Sequence, residues 1–151
     1  MTVNLNQVFD VAGESIHIDY SFDPLKICDY IVFASPVKVT GSITNKAQIV
    51  TAALKVEFIA KLICDRCLKT FARKFSFNFK HNLILQLNTD NDDYIVVRDA
   101  QLDLDNLVVN DIVLDLPIKT LCVADCKGLC AGCGADLNEK TCICSRNVTD
   151  R

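Results

Sequence analysis

Glycine and histidine are scarce in this chain, with five of the first and two of the second among 151 residues. So few glycines leave no phosphate-cradling glycine loop, and no HExxH motif or Ser/His/Asp arrangement is present. The shortage of histidine also argues against a catalytic zinc, because such sites keep an open position and usually employ His or carboxylate ligands. His17 stands on the polar side of an alternating segment and reads as solvent-facing, whereas His81 shares the register of an apolar face and reads as a core-edge residue. Long apolar runs are missing as well. The most apolar stretch, residues 47–63, is broken by Lys55, Glu57 and Lys61, so no membrane span is expected. The opening segment MTVNLNQVFDVAGES has neither the basic nor the apolar region of a secretory signal, and the expectation is a cytoplasmic protein. Paired acids such as Asp92–Asp93 and Asp103–Asp105 fall in loop and cap settings and read as solvated charge. Nothing nominates a catalytic centre or a small-molecule substrate.

What is present is a chain that is 50% apolar, enough for a sizeable core in one domain with a small appendage. The net charge of −3 hides an asymmetry. Residues 31–89 carry nine Lys/Arg against Glu57 and Asp65, whereas residues 90–125 carry nine Asp against Arg98 and Lys119. A basic middle beside an acidic segment forms a nucleic-acid face with an acidic counterface, or else the two blocks neutralise each other across a sheet.

Alternation dominates the first two-thirds. Ile16, Ile18, Tyr20 and Phe22 share one side of a segment, Val37, Val39 and Ile43 of another, and Leu54, Val56, Phe58, Ala60 and Leu62 of a third. The longest run is Phe75, Phe77, Phe79, His81, Leu83, Leu85 and Leu87. Period two over such lengths predicts half-buried antiparallel strands, with a hairpin connection over residues 43–47. Residues 88–93 read as a polar loop and 94–98 as a short strand. The period then changes: Leu104, Leu107, Val108 and Ile112 recur at helical spacing, with Asp103 or Asp105 available as N-cap and Pro117 ending the helix. From Cys122 onward apolar periodicity disappears, and so short a segment needs a staple to fold.

Cysteine supplies that staple. Six of the nine cysteines fall between Cys122 and Cys144, and Cys64 and Cys67 form an earlier CxxC between two long strands. In a reducing compartment, clustered thiols point to metal binding or redox chemistry ahead of disulfides. Cys130-Ala131-Gly132-Cys133-Gly134 has the form of a zinc knuckle, in which the glycine after the second cysteine tolerates positive φ. Cys142 and Cys144 follow as its nearest further ligands. Cys64 and Cys67 then take Cys122 and Cys126 by arithmetic, with completion of the tail site by Cys126 as the alternative. Soft thiolates select zinc or an iron–sulfur cluster, and a CxxC redox couple at Cys64–Cys67 is the remaining reading. Cys28 is left as a small buried apolar residue.

Three segments also resemble a known family. CDRCLKTF (64–71), LDLPIKTLC (114–122) and DCKGLCAGCGADLNEKTCIC (125–144) occur in the same order in the bacterial YceD family, the large ribosomal RNA subunit accumulation proteins. The resemblance runs from about residue 36 to 144, and KGLCxxCGxxLN is its most specific block. Ala131 stands where proline is common and Asp136 where asparagine is common. The resemblance implies a non-enzymatic role in synthesis, processing or accumulation of large-subunit rRNA.

The expected fold is α+β: a mainly antiparallel β sheet or partly open barrel over residues 1–120 with one amphipathic helix, and a cysteine-rich zinc-binding C-terminal tail, 121–151, packed on it. One or two zinc ions are expected on Cys64, Cys67, Cys122, Cys126, Cys130, Cys133, Cys142 and Cys144. Arg66, Lys69, Arg73, Lys74 and Lys80 cluster around the first CxxC as the expected RNA-contacting residues. Phe71 and Phe75, in an alternating strand, read as core. The partner is a large-subunit rRNA precursor or a ribosomal protein. Two further readings stand beside this one: an adaptor that uses the acidic 90–115 segment to hold a basic ribosomal protein, and a CxxC thiol oxidoreductase.

Overall fold

The computed structural model describes residues 1–24, 32–86, 94–142 and 144; Cys28 and the loop at 88–93 lie outside the described residues. Three long strands dominate: β4 (Val37–Lys46), β5 (Ile49–Ile63) and β6 (Thr70–Ile84), paired antiparallel in sequence order. In front of them come β1 (Thr2–Asn4), α1 (Asn6–Asp10), β2 (Ser15–Phe22) and β3 (Val32–Phe33), and after them β7 (Tyr94–Val96), β8 (Gln101–Asp103) and α2 (Leu104–Asp115). β2 lies on the far edge of β4, and β7 runs parallel to β6, giving the order β2-β4-β5-β6-β7. β3 extends the β4 edge by pairing with β5. The sheet curls into a half-barrel.

Period two produces this sheet. Every even-numbered residue of β5 from Val50 to Leu62 is buried, and the odd ones are half-buried or exposed. Phe58, Phe75 and Phe77 form a cross-strand aromatic cluster with centroids 5.3–6.0 Å apart; such pairs contribute about 0.5–1.5 kcal/mol each beyond area burial. The apolar face is closed by Val8 of α1, by Val3 and Leu102 of the β1–β8 ribbon, and by Leu104, Val108 and Ile112 of α2. Polar ties fix those covers: Asn45 Nδ2 donates to the Val8 carbonyl at 2.7 Å, and His81 Nε2 meets Asp111 Oδ2 at 2.8 Å. The Asp103 carboxylate caps α2 by accepting from the Asn106 N–H, and the helix stops ahead of Pro117, as the spacing predicted.

Two local features bend the sheet and turn it. A Cβ at Gly41 would sit 2.1 Å from the Ala53 carbonyl oxygen, so only glycine permits this close approach of β4 to β5. The hairpin connection falls later than the spacing suggested. β4 continues through Lys46, and the reversal is made by Ala47 (φ 52) and Gln48 (φ 68). Two consecutive positive φ values are those of a type I′ turn, here built without the usual Asn-Gly pair.

One face of the sheet carries the helices and the other stays open. Among the described residues, none of the side chains on that outer face of β4, β5 and β6 is buried. No described helix is long and apolar enough to cross a membrane.

Candidate metal centres

The hairpin between β5 and β6 closes on a tight turn. The Leu68 N–H donates to the Cys64 carbonyl at 2.9 Å, and the Cys64 N–H donates to the Lys69 carbonyl at 3.0 Å. This turn places the Cys64 and Cys67 sulfurs together, and the tail brings Cys122 and Cys126 to them. The Cys64–Cys126 and Cys67–Cys122 sulfurs are 3.8 and 3.6 Å apart, and all four lie within 4.8 Å of one another. Zn–S bonds of about 2.3 Å in a tetrahedron require sulfurs roughly 3.8 Å apart. The spacing fits a four-thiolate metal ion.

The second cluster repeats the first. The Gly134 N–H donates to the Cys130 carbonyl at 2.9 Å and the Cys130 N–H to the Ala135 carbonyl at 2.8 Å. Cys133 and Cys130 each lie 3.3 Å from Cys142, and Cys144 completes a set within 4.8 Å. The residue after the second cysteine adopts positive φ in both turns: Gly134 at 72° and Leu68 at 60°. Glycine takes that conformation freely, whereas a leucine there costs about 1–2 kcal/mol. Leu68 is 65% exposed, so little burial offsets that cost. The division of the eight cysteines is thereby resolved: Cys126 joins Cys64, Cys67 and Cys122.

The ionisation pattern repeats too. Burial is the largest influence on Cys64 and opposes its thiolate, but the backbone N–H groups of Cys67, Cys122 and Arg66 outweigh it and bring the thiol to about 6. Backbone N–H groups of Cys133 and Gly132 bring Cys130 to about 7. Burial, then the neighbouring sulfurs, push Cys122 up to about 12. At Cys142 the Cys144 N–H favours the thiolate, yet the sulfurs of Cys133 and Cys130 push it up to about 12. Four crowded thiols resist collective ionisation, and a bound cation removes that resistance. Neither set contains a histidine or carboxylate, which is the donor chemistry of closed, structural sites. Burial separates them: Cys64, Cys67 and Cys126 are buried, whereas Cys133 and Cys144 are exposed.

Several side chains strap the tail to the hairpin. Arg66 donates to the Cys126 carbonyl at 2.7 Å, and Arg73, whose guanidinium also lies over the Phe71 ring, donates to the Leu121 carbonyl at 2.8 Å. Lys69 pairs with Glu139 at 3.0 Å. The Thr120 hydroxyl donates to the Ile63 carbonyl at 2.9 Å, and the Asp65 N–H to the Thr120 carbonyl at 2.9 Å. Asn138, which the spacing arguments gave no role, accepts from the Lys127 N–H and reaches the Cys126 sulfur at 3.4 Å. Its signal lay in the KGLCxxCGxxLN block. Gly128 lies against the Arg66 carbonyl, which an added Cβ would approach to 3.0 Å.

The five basic residues read from the sequence therefore divide. Arg66, Lys69 and Arg73 hold the tail, Lys74 pairs with Glu57 at 3.2 Å, and Lys80 is exposed with no ion pair among the described residues. Phe75 is buried, and Phe71 packs between the main core and the first cysteine cluster. Of the acidic segment, Asp103 caps α2, Asp105 accepts from the Tyr20 hydroxyl at 2.9 Å and Asp111 holds His81.

A curled, mostly antiparallel sheet whose central hairpin and C-terminal segment build two four-cysteine sites defines a β protein able to hold metal ions. The chain belongs to the YceD family: the model described as "Large ribosomal RNA subunit accumulation protein YceD" matches residues 52–151. It is 33% identical over 51 residues to the chloroplastic "Large ribosomal RNA subunit accumulation protein YCED homolog 1" of Arabidopsis thaliana, covering 34% of this chain and 16% of that protein. It is 25% identical over 115 residues to an uncharacterized protein of Mycobacterium leprae, covering 71% of this chain and 52% of that one. The chain thus spans about half or less of the length of these relatives. No solved structure matches it significantly. The family's name supports a role related to ribosome biogenesis.

Proposed function

We propose that this protein is a non-enzymatic, cytoplasmic ribosome-assembly factor. It supports the synthesis, processing or accumulation of large-subunit rRNA by contacting the rRNA precursor directly. Zinc held by the two cysteine clusters staples the segment 121–151 onto the body 1–120. The observation that carries the reading is the pairing of a family named for large-subunit rRNA with a strongly basic central hairpin region, residues 31–89.

Asp111 is buried against His81, but Asp99, Asp103 and Asp115 are exposed, so an adaptor that holds a basic protein through the acidic segment is the second reading. A thiol oxidoreductase needs an accessible nucleophilic sulfur, yet Cys64 is 0% and Cys67 7% exposed, each beside a tail cysteine.

Density-gradient sedimentation of cell lysate, with and without nuclease, tests the proposal. Nuclease-sensitive co-migration with large-subunit precursors is the expected result. Sedimentation only as a free small protein counts against it.

A further inference from the structure

The open face of the sheet has a specific composition. In β4, β5 and β6 the residues pointing away from the core include Lys38, Lys46, Lys55, Lys61, Lys74 and Lys80, with the exposed Ile49, Ile59 and Ile63 between and beyond them. Glu57 is the only acid among them. The register sorts these lysines. Lys55 lies opposite Asn78 and therefore diagonal to Lys80, while Lys61 lies opposite Ala72 and diagonal to Lys74. Diagonal neighbours are about 7–8 Å apart. The two lysine pairs are six residues apart along the strands, about 20 Å. Lys38 sits between them, opposite Glu57.

The face also has a seat. A depression of about 360 Å³ is lined there by Thr40, Ala53, Lys55, Asn78 and Lys80 together with the Gly41 backbone. Glu57 draws in Lys74 at 3.2 Å and Lys55 at 3.5 Å, while Lys38, Lys46, Lys61 and Lys80 have no ion pair among the described residues. No aromatic side chain lies on this face of the three strands. Ammonium groups strung over about 20 Å without stacking platforms complement a phosphate backbone and have nothing with which to read bases.

We propose that this outer face of β4–β5–β6, and not the cysteine-bearing hairpin tip, is the surface that docks the RNA phosphate backbone. The inference rests on the direct-contact reading above and assigns its surface. Arg66, Lys69 and Arg73 serve the tail, and Lys38, Lys55, Lys61, Lys74 and Lys80 serve the RNA. Binding through this face is sequence-tolerant and salt-dependent, and Glu57 weakens it by competing for two of the five lysines.

The test is fluorescence anisotropy on the metal-loaded full chain with a labelled oligouridine and a labelled RNA duplex, titrated across KCl concentrations. Each lysine that neutralises a phosphate contributes about 0.7 (single strand) to 0.9 (duplex) to the slope of log affinity against log salt. A Lys38→Gln/Lys61→Gln/Lys80→Gln variant removes three exposed lysines with no ion pair. It is expected to flatten the slope by about 2–3 and to weaken binding roughly 100-fold near physiological salt. Glu57→Gln is expected to do the opposite, tightening binding by about fivefold, a gain that damage to the fold does not produce. Wild-type protein that ignores both probes overturns the direct-contact reading itself. Wild-type binding that persists unchanged in the triple variant overturns the face assignment alone. Binding to polyglutamate in place of RNA, lost in the triple variant, makes this a face for acidic proteins and also overturns the assignment.

Discussion

The two cysteine turns differ at one decisive position, and exchanging the residues there measures what the turn costs. Leu68 holds φ 60° and Gly134 holds φ 72° at the equivalent place. Leu68→Gly removes a left-handed penalty of about 1–2 kcal/mol. Against that stand glycine's extra freedom in the unfolded chain, about 0.5–1 kcal/mol, and little lost burial, since the leucine is 65% exposed. The net expectation is a gain of about 0.5–1 kcal/mol, or roughly 1–4 °C in Tm for a chain of this size. Gly134→Ala is the mirror experiment. A Cβ there meets nothing within 4 Å, so the loss reports backbone conformation alone, and about 1 kcal/mol of destabilisation is expected. Both variants are measured by thermal and urea unfolding of metal-loaded protein. A Leu68→Gly variant clearly less stable than wild type would refute the reasoning, because it would mean that the leucine side chain contributes more than its backbone costs.

Other expectations follow from the same geometry. Gly41→Ala forces a Cβ to within 2.1 Å of the Ala53 carbonyl oxygen; a loss of about 3 kcal/mol or more, or failure to fold, is expected in urea titrations, and wild-type stability would contradict the close approach. Ala47→Asn with Gln48→Gly supplies the residues a type I′ turn prefers and is expected to stabilise by about 1 kcal/mol, read as a higher urea midpoint at unchanged m-value. Arg73→Ala removes a charged hydrogen bond to the Leu121 carbonyl, worth about 1.5–3 kcal/mol; limited proteolysis is expected to cut the segment from Leu121 onward sooner than in wild type, with the strands intact. Chelation is expected to expose the Cys130–Cys144 cluster to alkylation ahead of the Cys64–Cys126 cluster, because its sulfurs are more accessible, and mass spectrometry of alkylated peptides gives the order.

Legibility in the sequence tracked the length of the physical signal. β5 and β6, fifteen residues each, carry long stretches of alternation and were readable without a structure. So was α2, which has a cap, a periodic stripe and a proline stop. β1, α1, β3 and β8, of two to five residues, have no room for a period, whereas the equally short β7 was legible only as an apolar stretch after a polar loop; the β1–β8 pairing joins residues about a hundred positions apart. The β4–β5 turn was placed too early because Ala47 and Gln48 bear none of the usual Gly or Asn signal. The cysteine spacing announced eight clustered thiols but left Cys126 open between two sets, a choice made only by the fold. Charge was the least legible property. Arg66 and Arg73 look like free cations in the sequence, and their carbonyl partners at Cys126 and Leu121 lie 60 and 48 residues away.

Two four-thiolate metal sites, one joining the β5–β6 hairpin to the tail and one within the tail, are central here, and metal counting by native mass spectrometry tests them most directly. The prediction is two zinc ions per chain, falling to one when Cys130 and Cys133 are both changed to Ser, with the first cluster still loaded. A folded, metal-free wild-type chain in which all eight thiols react freely would contradict it.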